Sequence, residues 1–505
     1  MQEERSLKQD CVHLAILLAV ALAIGAYLIA TSELISRDGA FYIHQARKLL
    51  RDPAGVARQY PLGYPVLLLA GQKIVSLFTA ADAAAVWVWS SQAVTLLCRV
   101  LALVPLYFVG RFLVGARKSF WALLVLTVLP YPARYGSDVL REWPFLLFLA
   151  LGFWFLLVAL REGKWWLFGL VGLAAGLGYL IRPMSGQLVV YALLGLIVTA
   201  CVGRPASKLS LVGAGSILLV AFAIPTVPYF VWIGTAVPQQ FNTVPADAVP
   251  VAVTVAGQPT DASTAGQEEK TPFVLRAADH VFSGLADNLM IFFLVPLGLG
   301  LYHRLRHEAG QHERALMIAV VLLNVGLIAA RYTWFGSGSA RRYSLGLIVL
   351  TICYVPGGLE RLAHGLRLAG DRVFGDRGRA ESGERVWFAV LLAVGVGLCV
   401  PKLLAPMHAD KKGYRQVARW LGDNTEPGSV IIVSDARISF YADRPGRIQG
   451  HLADQRPSNY TVTITPADST ERHPEQWREL YACWADESRK ERLTVYRTRA
   501  EGSTN

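Results

Sequence analysis

Long uninterrupted apolar runs are the feature that most limits how this chain can fold. The first is VHLAILLAVALAIGAYLIAT at residues 12–31, and ten more lie between residues 86 and 404. A helix needs about 20 predominantly apolar residues to cross a hydrocarbon core. Only 17% of the 505 residues are charged and 53% are hydrophobic, whereas soluble domains carry about 25% charged residues. The runs therefore predict an all-α polytopic membrane bundle.

We predict about eleven transmembrane helices. Their approximate ranges are 12–31, 86–110, 119–133, 143–160, 166–181, 185–202, 209–233, 286–302, 315–330, 343–358 and 386–404. The first run is longer than the apolar region of a cleaved secretion signal, about 7–15 residues, so we expect it to be retained. Segment 62–80 contains Pro65, Gln72 and Lys73, and we interpret it as interfacial or re-entrant.

The distribution of basic residues predicts the orientation. With the N-terminus in the cytoplasm, the inside segments hold 18 Lys and Arg in 68 residues and the outside loops hold 14 in 129. Cytoplasmic loops are enriched in these residues. We therefore expect an integral protein of the cytoplasmic (inner) membrane with an extracytoplasmic C-terminus. The net charge of +12 is explained by this topology, and we expect no nucleic-acid partner.

Two domains are predicted. Residues 1–404 form the membrane domain, with outside loops at 32–84, which holds interfacial helices, and at 234–285, whose Pro, Ala, Thr and Val content is typical of a flexible loop. Residues 405–505 are expected to form a small extracytoplasmic α/β domain. In that domain GYRQVARWLGDN predicts an amphipathic helix, whereas SVIIVSD and LTVYRTR predict strands.

An aspartate follows the first span. In SRDGAFYIHQARKLL, residues 36–50, Asp38 precedes apolar residues at helical spacing. The pattern indicates a helix that lies along the membrane interface with its apolar face in lipid. Asp38 could cap this helix or act chemically, and its position alone does not separate the two roles.

A second acidic cluster lies in the short loop before the fourth span. The stretch YGSDVLREWPFLL contains Asp138, Arg141 and Glu142. An Asp–Arg pair at a surface contributes little and would be a structural explanation. The loop is nevertheless predicted on the same side of the membrane as Asp38, and acids that converge on one face can form an acid/base site.

Arginines occur at the same predicted face. Arg182 ends GLAAGLGYLIRP, and Arg331, Arg341 and Arg342 bracket RYTWFGSGSARRYSLG. Arg99 lies within a span, so we expect it to face a polar cavity or pair with an acid. Guanidinium groups match phosphate oxygens well, although interfacial arginines can also simply extend towards water.

The order of these motifs resembles the glycosyltransferase C superfamily, in particular the branch of protein O-mannosyltransferases and lipid A aminoarabinose transferases. The motifs are RDGAFYIHQARKLL, QYPLGYPVLLL, DVLREWPFLLF, GLAAGLGYLIRP and SARRYSLGL. The resemblance implies that Asp38 is the catalytic base and that Glu142 corresponds to the acid that opens the fourth span. It implies that Tyr64 lies close to the donor and that Arg342 and Tyr343 lie near the carrier phosphate. Many members have an Asp-Glu pair where this chain has Asp38-Gly39.

The sequence thus predicts a membrane glycosyltransferase of the cell envelope. It would move a sugar from a polyprenyl-phosphate carrier, with inversion, to a protein, lipid or glycan acceptor. Asp38, Glu142 and Asp138 are the candidate catalytic residues, and Tyr64, Arg99, Arg182, Arg341, Arg342 and Tyr343 are the candidate binding residues. No metal ligands are predicted, and divalent metal use is left open. The alternative is a transporter or flippase of a lipid-linked or anionic solute.

Overall fold

The computed structural model describes residues 2–79, 84–201, 208–234, 273–335, 340–374, 380–448, 459–467 and 477–498. Helices dominate the first 404 residues. In chain order they are α1 Gln2–Ala30, α2 Arg37–Leu49, α3 Pro53–Gln59, α4 Gly63–Ser76, α5 Ala84–Val114, α6 Ala116–Val128, α7 Pro130–Tyr135, α8 Glu142–Glu162, α9 Leu167–Tyr179, α10 Gln187–Cys201, α11 Lys208–Ile233, α12 Phe273–Asn288, α13 Leu294–His303, α14 Gln311–Phe335, α15 Ala340–Thr351, α16 Val355–Phe374 and α17 Ala380–Leu404. A polytopic helical bundle is confirmed.

Eight helical segments among the described residues are long and apolar enough to cross a membrane, so the predicted count of about eleven is not confirmed. Each predicted span overlaps helix, but the span at 286–302 contains a turn at 289–293, and α6, α9 and α13 have only 13, 13 and 10 residues. At about 1.5 Å per residue these three are shorter than a hydrocarbon core of about 30 Å. Proline explains the early end of α6, since Pro130 starts a new helix directly after it.

Three short helices follow the first span and precede α5. Ser36 caps α2 by accepting a hydrogen bond from the Gly39 N–H, and Asp52 caps α3 by accepting one from Gly55. The interfacial segment predicted at 62–80 contains α4, whose 14 residues span about 21 Å. Most of the predicted flexible loop 234–285 lies outside the described residues, but its last part forms the start of α12.

The apolar face of α2 packs on protein, which corrects the expectation that it lies in lipid. Tyr42, Ile43 and Ala46 are buried in the main core of the bundle, and α2 contacts α3, α4 and α5. Since α4 and α5 fold back beside α2, they cover apolar area that would otherwise face the bilayer. The position of α2 is therefore set by packing within the protein.

A small α/β domain follows α17, as predicted. It contains α18 Lys412–Asn424, α19 Ala436–Tyr441 and strands β1 Ile431–Val433, β2 Gly446–Ile448, β3 Tyr460–Pro466, β4 Trp477–Trp484 and β5 Glu491–Thr498. The strand order is β2-β1-β3-β5-β4. Strand β1 is parallel to β2 and β3, whereas β5 is antiparallel to β3 and β4. The buried face of the sheet packs with α18 and α19 in its own core.

The chain between α1 and α2 joins this domain to the bundle. Leu34 is 1% exposed and belongs to the core of the α/β domain. The Glu33 N–H donates to the Met407 carbonyl at 3.2 Å, and the Ile35 N–H donates to the Tyr441 hydroxyl at 3.1 Å. The α/β domain therefore lies against the residues that lead into Asp38.

Candidate functional site

Asp38 lies in the first turn of α2, where it meets Arg342 from the start of α15. The Arg342 guanidinium donates to Asp38 Oδ2 across 304 residues of sequence. The side chain of Asp38 is 44% exposed and that of Arg342 is 26% exposed. The pair is thus anchored on two elements yet open to a ligand.

Glycine at position 39 permits close contact between α2 and the loop before α8. A Cβ atom at this position would lie 2.9 Å from Val139 Cβ and 3.0 Å from its carbonyl oxygen. Such distances are shorter than van der Waals contact, so a larger residue would displace one of the two segments. This close approach gives the Asp38-Gly39 departure from the family pattern a physical reason.

Asp138 is 4% exposed and its carboxylate is occupied by hydrogen bonds. It accepts from the N–H groups of Ser36 at 3.0 Å and Val139 at 2.7 Å, and His408 Nε2 lies 3.2 Å from Oδ2. Burial alone would raise the pKa of Asp138, but the hydrogen bonds from His408 and these N–H groups outweigh burial and lower the pKa. The side chain ties the segment before Asp38 to the loop before Glu142 and to the start of the α/β domain.

Glu142 and Arg182 form a buried pair beside Asp38. The Arg182 Nη1 lies 3.5 Å from Glu142 Oε1, and the other oxygen, Oε2, has no hydrogen-bond partner within the described structure. The guanidinium groups of Arg182 and Arg331 each lie 4.5 Å from the ring centre of Tyr343, on α15. Glu142, Arg182, Arg342 and Tyr343 line one small cavity, so the structure brings these four predicted residues together.

Three residues of this region were not among the candidates. The Arg141 guanidinium lies 4.9 Å from the centre of the Tyr60 ring, and Tyr60 packs against Tyr42 with ring centres 5.4 Å apart. Burial raises the pKa of both tyrosines, so both hydroxyls stay protonated at neutral pH. The structural alternative for this loop was a surface Asp–Arg pair, but Asp138 contacts His408. The sequence signal that could have identified the two tyrosines was their presence in the motifs YIHQ and RQYP, next to the other candidate residues.

Three other candidates lie apart from this cavity. Arg99 is buried and donates to the carbonyls of Thr127 at 2.8 Å and Ala133 at 3.5 Å, whereas the expected surroundings were a polar cavity or an acid. The Tyr64 hydroxyl lies 2.9 Å from Thr95 Oγ1 in the core. Arg341 donates to the Tyr131 hydroxyl at 2.7 Å and pairs with Asp287 at 3.4 Å.

The charges around the cavity favour an anionic ligand. Of the residues that line it, Arg182 and Arg342 are cationic and Glu142 is acidic, so cations outnumber carboxylates. Guanidinium groups bind phosphate oxygens with two parallel hydrogen bonds. Within the described ranges, no group of three or more His, Cys, Asp or Glu side chains is arranged to hold a metal ion.

Comparison with known proteins gives a family match over part of the chain. Residues 74–232 match the family model of dolichyl-phosphate-mannose-protein mannosyltransferases. No curated protein matches the chain. The match covers α5 to α11 and therefore includes Arg99, Asp138, Glu142 and Arg182.

Solved structures share the fold at low identity. The apo aminoarabinose transferase ArnT of Cupriavidus metallidurans is 14% identical, with a TM-score of 0.57, and the alignment covers 95% of this chain and 97% of that one. The Archaeoglobus fulgidus oligosaccharyltransferase is 12% identical, also with a TM-score of 0.57, over 87% of this chain and 65% of that one. The chain thus spans less than two thirds of the archaeal enzyme. Residues 74–232 are thus similar to the mannosyltransferase family, and the chain as a whole shares its fold with these membrane glycosyltransferases.

Proposed function

We propose that the chain is a membrane glycosyltransferase that moves a sugar from a polyprenyl-phosphate carrier to an acceptor, with inversion and with Asp38 as the general base. The observation that carries this proposal is the contact of a half-exposed carboxylate, Asp38, with Arg342, which lines a cavity together with Arg182. Among the related structures, ArnT was solved with undecaprenyl phosphate and the archaeal enzyme AglB with a dolichol-phosphate. Those ligands support a lipid-phosphate donor here.

The ion pair suggests an order of events. Without a donor, Arg342 neutralises Asp38. When the carrier phosphate binds, Arg342 can turn its donors to the phosphate oxygens and leave a lone pair of Asp38 free. Asp38 then accepts the proton of an acceptor hydroxyl while that oxygen bonds to the anomeric carbon. The bond from that carbon to the phosphate oxygen breaks, and its electrons leave with the phosphate.

Arg182 and Glu142 have different parts in this scheme. Arg182 would stabilise the charge that develops on the departing phosphate, since fixed donors in a water-poor site act strongly on such charge. Glu142 keeps Arg182 in place, and its unpaired Oε2 is available to a sugar hydroxyl. Arg341 and Tyr64 have no direct part, because their hydrogen-bond partners lie outside the cavity.

The same proposal includes the location. Asp38, the cavity and the α/β domain lie at one end of the bundle, and the distribution of basic loops favours the extracytoplasmic side of the inner membrane for that end. The acceptor would therefore be a protein, lipid or glycan of the cell envelope. Mannose-like and pentose donors are both to be tested.

The test is transfer by the purified protein in proteoliposomes, with a panel of labelled polyprenyl-phosphate sugars. We expect Asp38→Asn to lower turnover by about 10²- to 10⁴-fold, the range for loss of a general base. Asp52→Asn, which removes an exposed carboxylate that caps α3, is the matched control and should retain wild-type turnover.

Two further results would decide against parts of the proposal, and a third concerns metal use, which the proposal leaves open. Equal turnover by wild type and Asp38→Asn would exclude Asp38 as the base. Movement of intact lipid-linked sugar across the bilayer without transfer would instead favour the flippase. Loss of activity with EDTA and recovery with Mg²⁺ or Mn²⁺ would establish a metal requirement.

A further inference from the structure

A wide groove separates α2 from α19 of the α/β domain. Its volume is about 900 Å³. One wall is the face of α2 and its C-terminal end, from Arg37 to Arg51, and the other is formed by residues 436–446. The cavity lined by Glu142, Arg182 and Arg342 shares no lining residue with this groove, so the groove is a separate site.

The groove is strongly basic. Five cationic side chains line it and one carboxylate, that of Asp443, opposes them: Arg37, Arg47, Lys48, Arg51 and Arg444. Arg51 forms no ion pair with the described residues. The pair of Arg47 with Asp443 is long, at 3.7 Å, and largely exposed, and pairs of this kind contribute little. Two further carboxylates pair with groove cations from outside the lining, Asp435 with Arg37 at 3.4 Å and Asp52 with Lys48 at 3.5 Å. Five cations still face three carboxylates, so the groove keeps a net positive charge.

Arg47 is already held in place for a ligand. Its guanidinium lies 5.4 Å from the centre of the Trp87 ring and 5.5 Å from that of Phe440. Arg444 is occupied within the α/β domain, because its guanidinium donates to the carbonyls of Gly422 and Thr425 at 2.8 Å. The cations available to a ligand are thus Arg47 and Lys48 in the last turn of α2 and Arg51 just beyond its end.

A buried acceptor also faces the groove. Gln45 is 2% exposed and lines it, and its Oε1 accepts no hydrogen bond from the described protein groups. A buried carbonyl oxygen without a partner is costly, and a hydroxyl group of a ligand would satisfy it. The ligand is therefore expected to carry a hydroxyl as well as a negative charge.

The position relative to the membrane indicates where the ligand comes from. Trp87 lies in the first turn of the long span α5, and Leu50, at the end of α2, is 59% exposed beside the groove. Aromatic residues at the ends of spans mark the headgroup region. The groove is thus open at the level of the headgroups, next to an apolar surface suited to acyl chains.

We propose that this groove binds the headgroup of an acidic membrane phospholipid, with its phosphate at Arg47, Lys48 and Arg51 and a headgroup hydroxyl at Gln45. A lipid held there would add to the contacts that already join α2 to the α/β domain, which include the Arg37–Asp435 and Arg47–Asp443 pairs and the packing of Arg47 on Phe440. This binding does not depend on the proposed transfer activity.

The test is native mass spectrometry of the full chain titrated with short-chain phosphatidylglycerol and phosphatidylcholine. We expect phosphatidylglycerol to bind at least tenfold more tightly. Each basic residue near a membrane surface contributes about 1 kcal/mol to binding of acidic lipid, so the double variant R47Q/R51Q should bind phosphatidylglycerol about 30-fold more weakly. Arg58→Gln, on neighbouring α3 but outside the groove, is the charge-matched control and should bind as wild type does.

Gln45 is tested separately with a lipid that lacks the hydroxyl. Wild type should prefer phosphatidylglycerol to phosphatidylmethanol, and Gln45→Leu should bind both equally. Equal binding of phosphatidylglycerol and phosphatidylcholine by wild type would overturn the proposal. So would an equal loss in Arg58→Gln, or displacement of the lipid by an equal concentration of inorganic phosphate. Thermal midpoints are measured without lipid, and variants whose midpoints equal that of wild type are taken as folded.

Discussion

At the scale of single residues, two aspartates with the same chemistry have opposite surroundings. Asp38 keeps close to half of its side chain exposed, and its partner is the guanidinium at the end of the long Arg342 side chain. Asp138 is buried and accepts two backbone hydrogen bonds in addition to its contact with His408. A general base needs a free lone pair within reach of the acceptor proton. Asp138 is therefore better suited to positioning than to proton transfer.

The lowered pKa of Asp138 predicts how pH acts on the joint between the bundle and the α/β domain. A carboxyl whose pKa is lower in the folded protein stabilises it above the unfolded pKa of about 3.9 and loses that effect as pH falls through the folded pKa. We expect resistance of the 405–411 segment to proteolysis to fall as the pH drops below about 4.

Asp138→Asn provides the comparison for this pH dependence. The variant should be less resistant at neutral pH and show a shallower decline in acid. The decline should not vanish, because hydrogen bonds from Arg437 outweigh burial and lower the pKa of Asp435 at the same joint. Identical pH profiles for wild type and Asp138→Asn would contradict the assignment.

Gly39 yields a second prediction at this scale. Gly39→Ala should cost about 1–3 kcal/mol, as overpacking of a close contact does, and should lower turnover because Asp38 is the adjacent residue. Gly357→Ala is the control, since a Cβ there meets nothing within 4 Å. Thermal midpoints and transfer rates measure both effects. A Gly39→Ala protein as stable and active as Gly357→Ala would show that the loop yields easily.

At the scale of elements, the break between α6 and α7 explains Arg99. Pro130 has no N–H and holds Leu129 in an extended conformation, with φ −60° and ψ 124°, so the helix stops there. The break leaves carbonyls near its end without helical partners. Arg99 donates to that of Thr127 at 2.8 Å. At the end of α7, Arg99 and Trp143 Nε1 also donate to the carbonyls of Ala133 and Pro132, which already accept from the Gly136 N–H. An arginine inside a span thus supplies a hydrogen bond to a carbonyl at the break.

Substitution of Arg99 tests whether it supports the fold or binds substrate. Arg99→Gln should destabilise the protein by about 1–3 kcal/mol, because buried carbonyls lose their donors. The KM of the molecules that remain folded should be unchanged. Arg117→Gln, at an exposed position, is the control for loss of charge. A raised KM at unchanged thermal stability would instead place Arg99 in the binding site.

At the scale of the whole molecule, the α/β domain and the bundle share residues 33–37. Leu34 belongs to the core of the domain, and Arg37 pairs with Asp435 at 3.4 Å. The same segment continues directly into Asp38. The position of the domain is therefore coupled to the position of the proposed base.

Leu34→Ala should weaken this coupling. Loss of a buried leucine side chain costs about 2–5 kcal/mol, here divided between the stability of the domain and its docking. We expect faster proteolytic release of the domain together with a lower transfer rate. Leu50→Ala removes the same group from an exposed position and should change neither. Faster release without any change in transfer would show that docking and catalysis are independent.

The apolar runs alone determined a helical membrane bundle followed by a soluble α/β domain, because hydropathy and periodicity are local properties of the chain. They also indicated which acids and arginines lie at one end of the bundle, since span order places loops alternately on two sides. The count of spans was less well determined. A short helix enclosed by neighbours has no need of the length that lipid contact demands.

Only the tertiary structure decided which of these polar residues meet. Asp38 and Arg342 are 304 positions apart, and His408 approaches Asp138 from 270 positions away. Such partners determine whether a carboxylate is free or occupied, and whether an arginine faces a ligand or a broken helix. The apolar face of α2 likewise met protein and not lipid, because α4 and α5 fold back to cover it. Pairing and burial depend on residues that are distant in sequence, and no local pattern contains them.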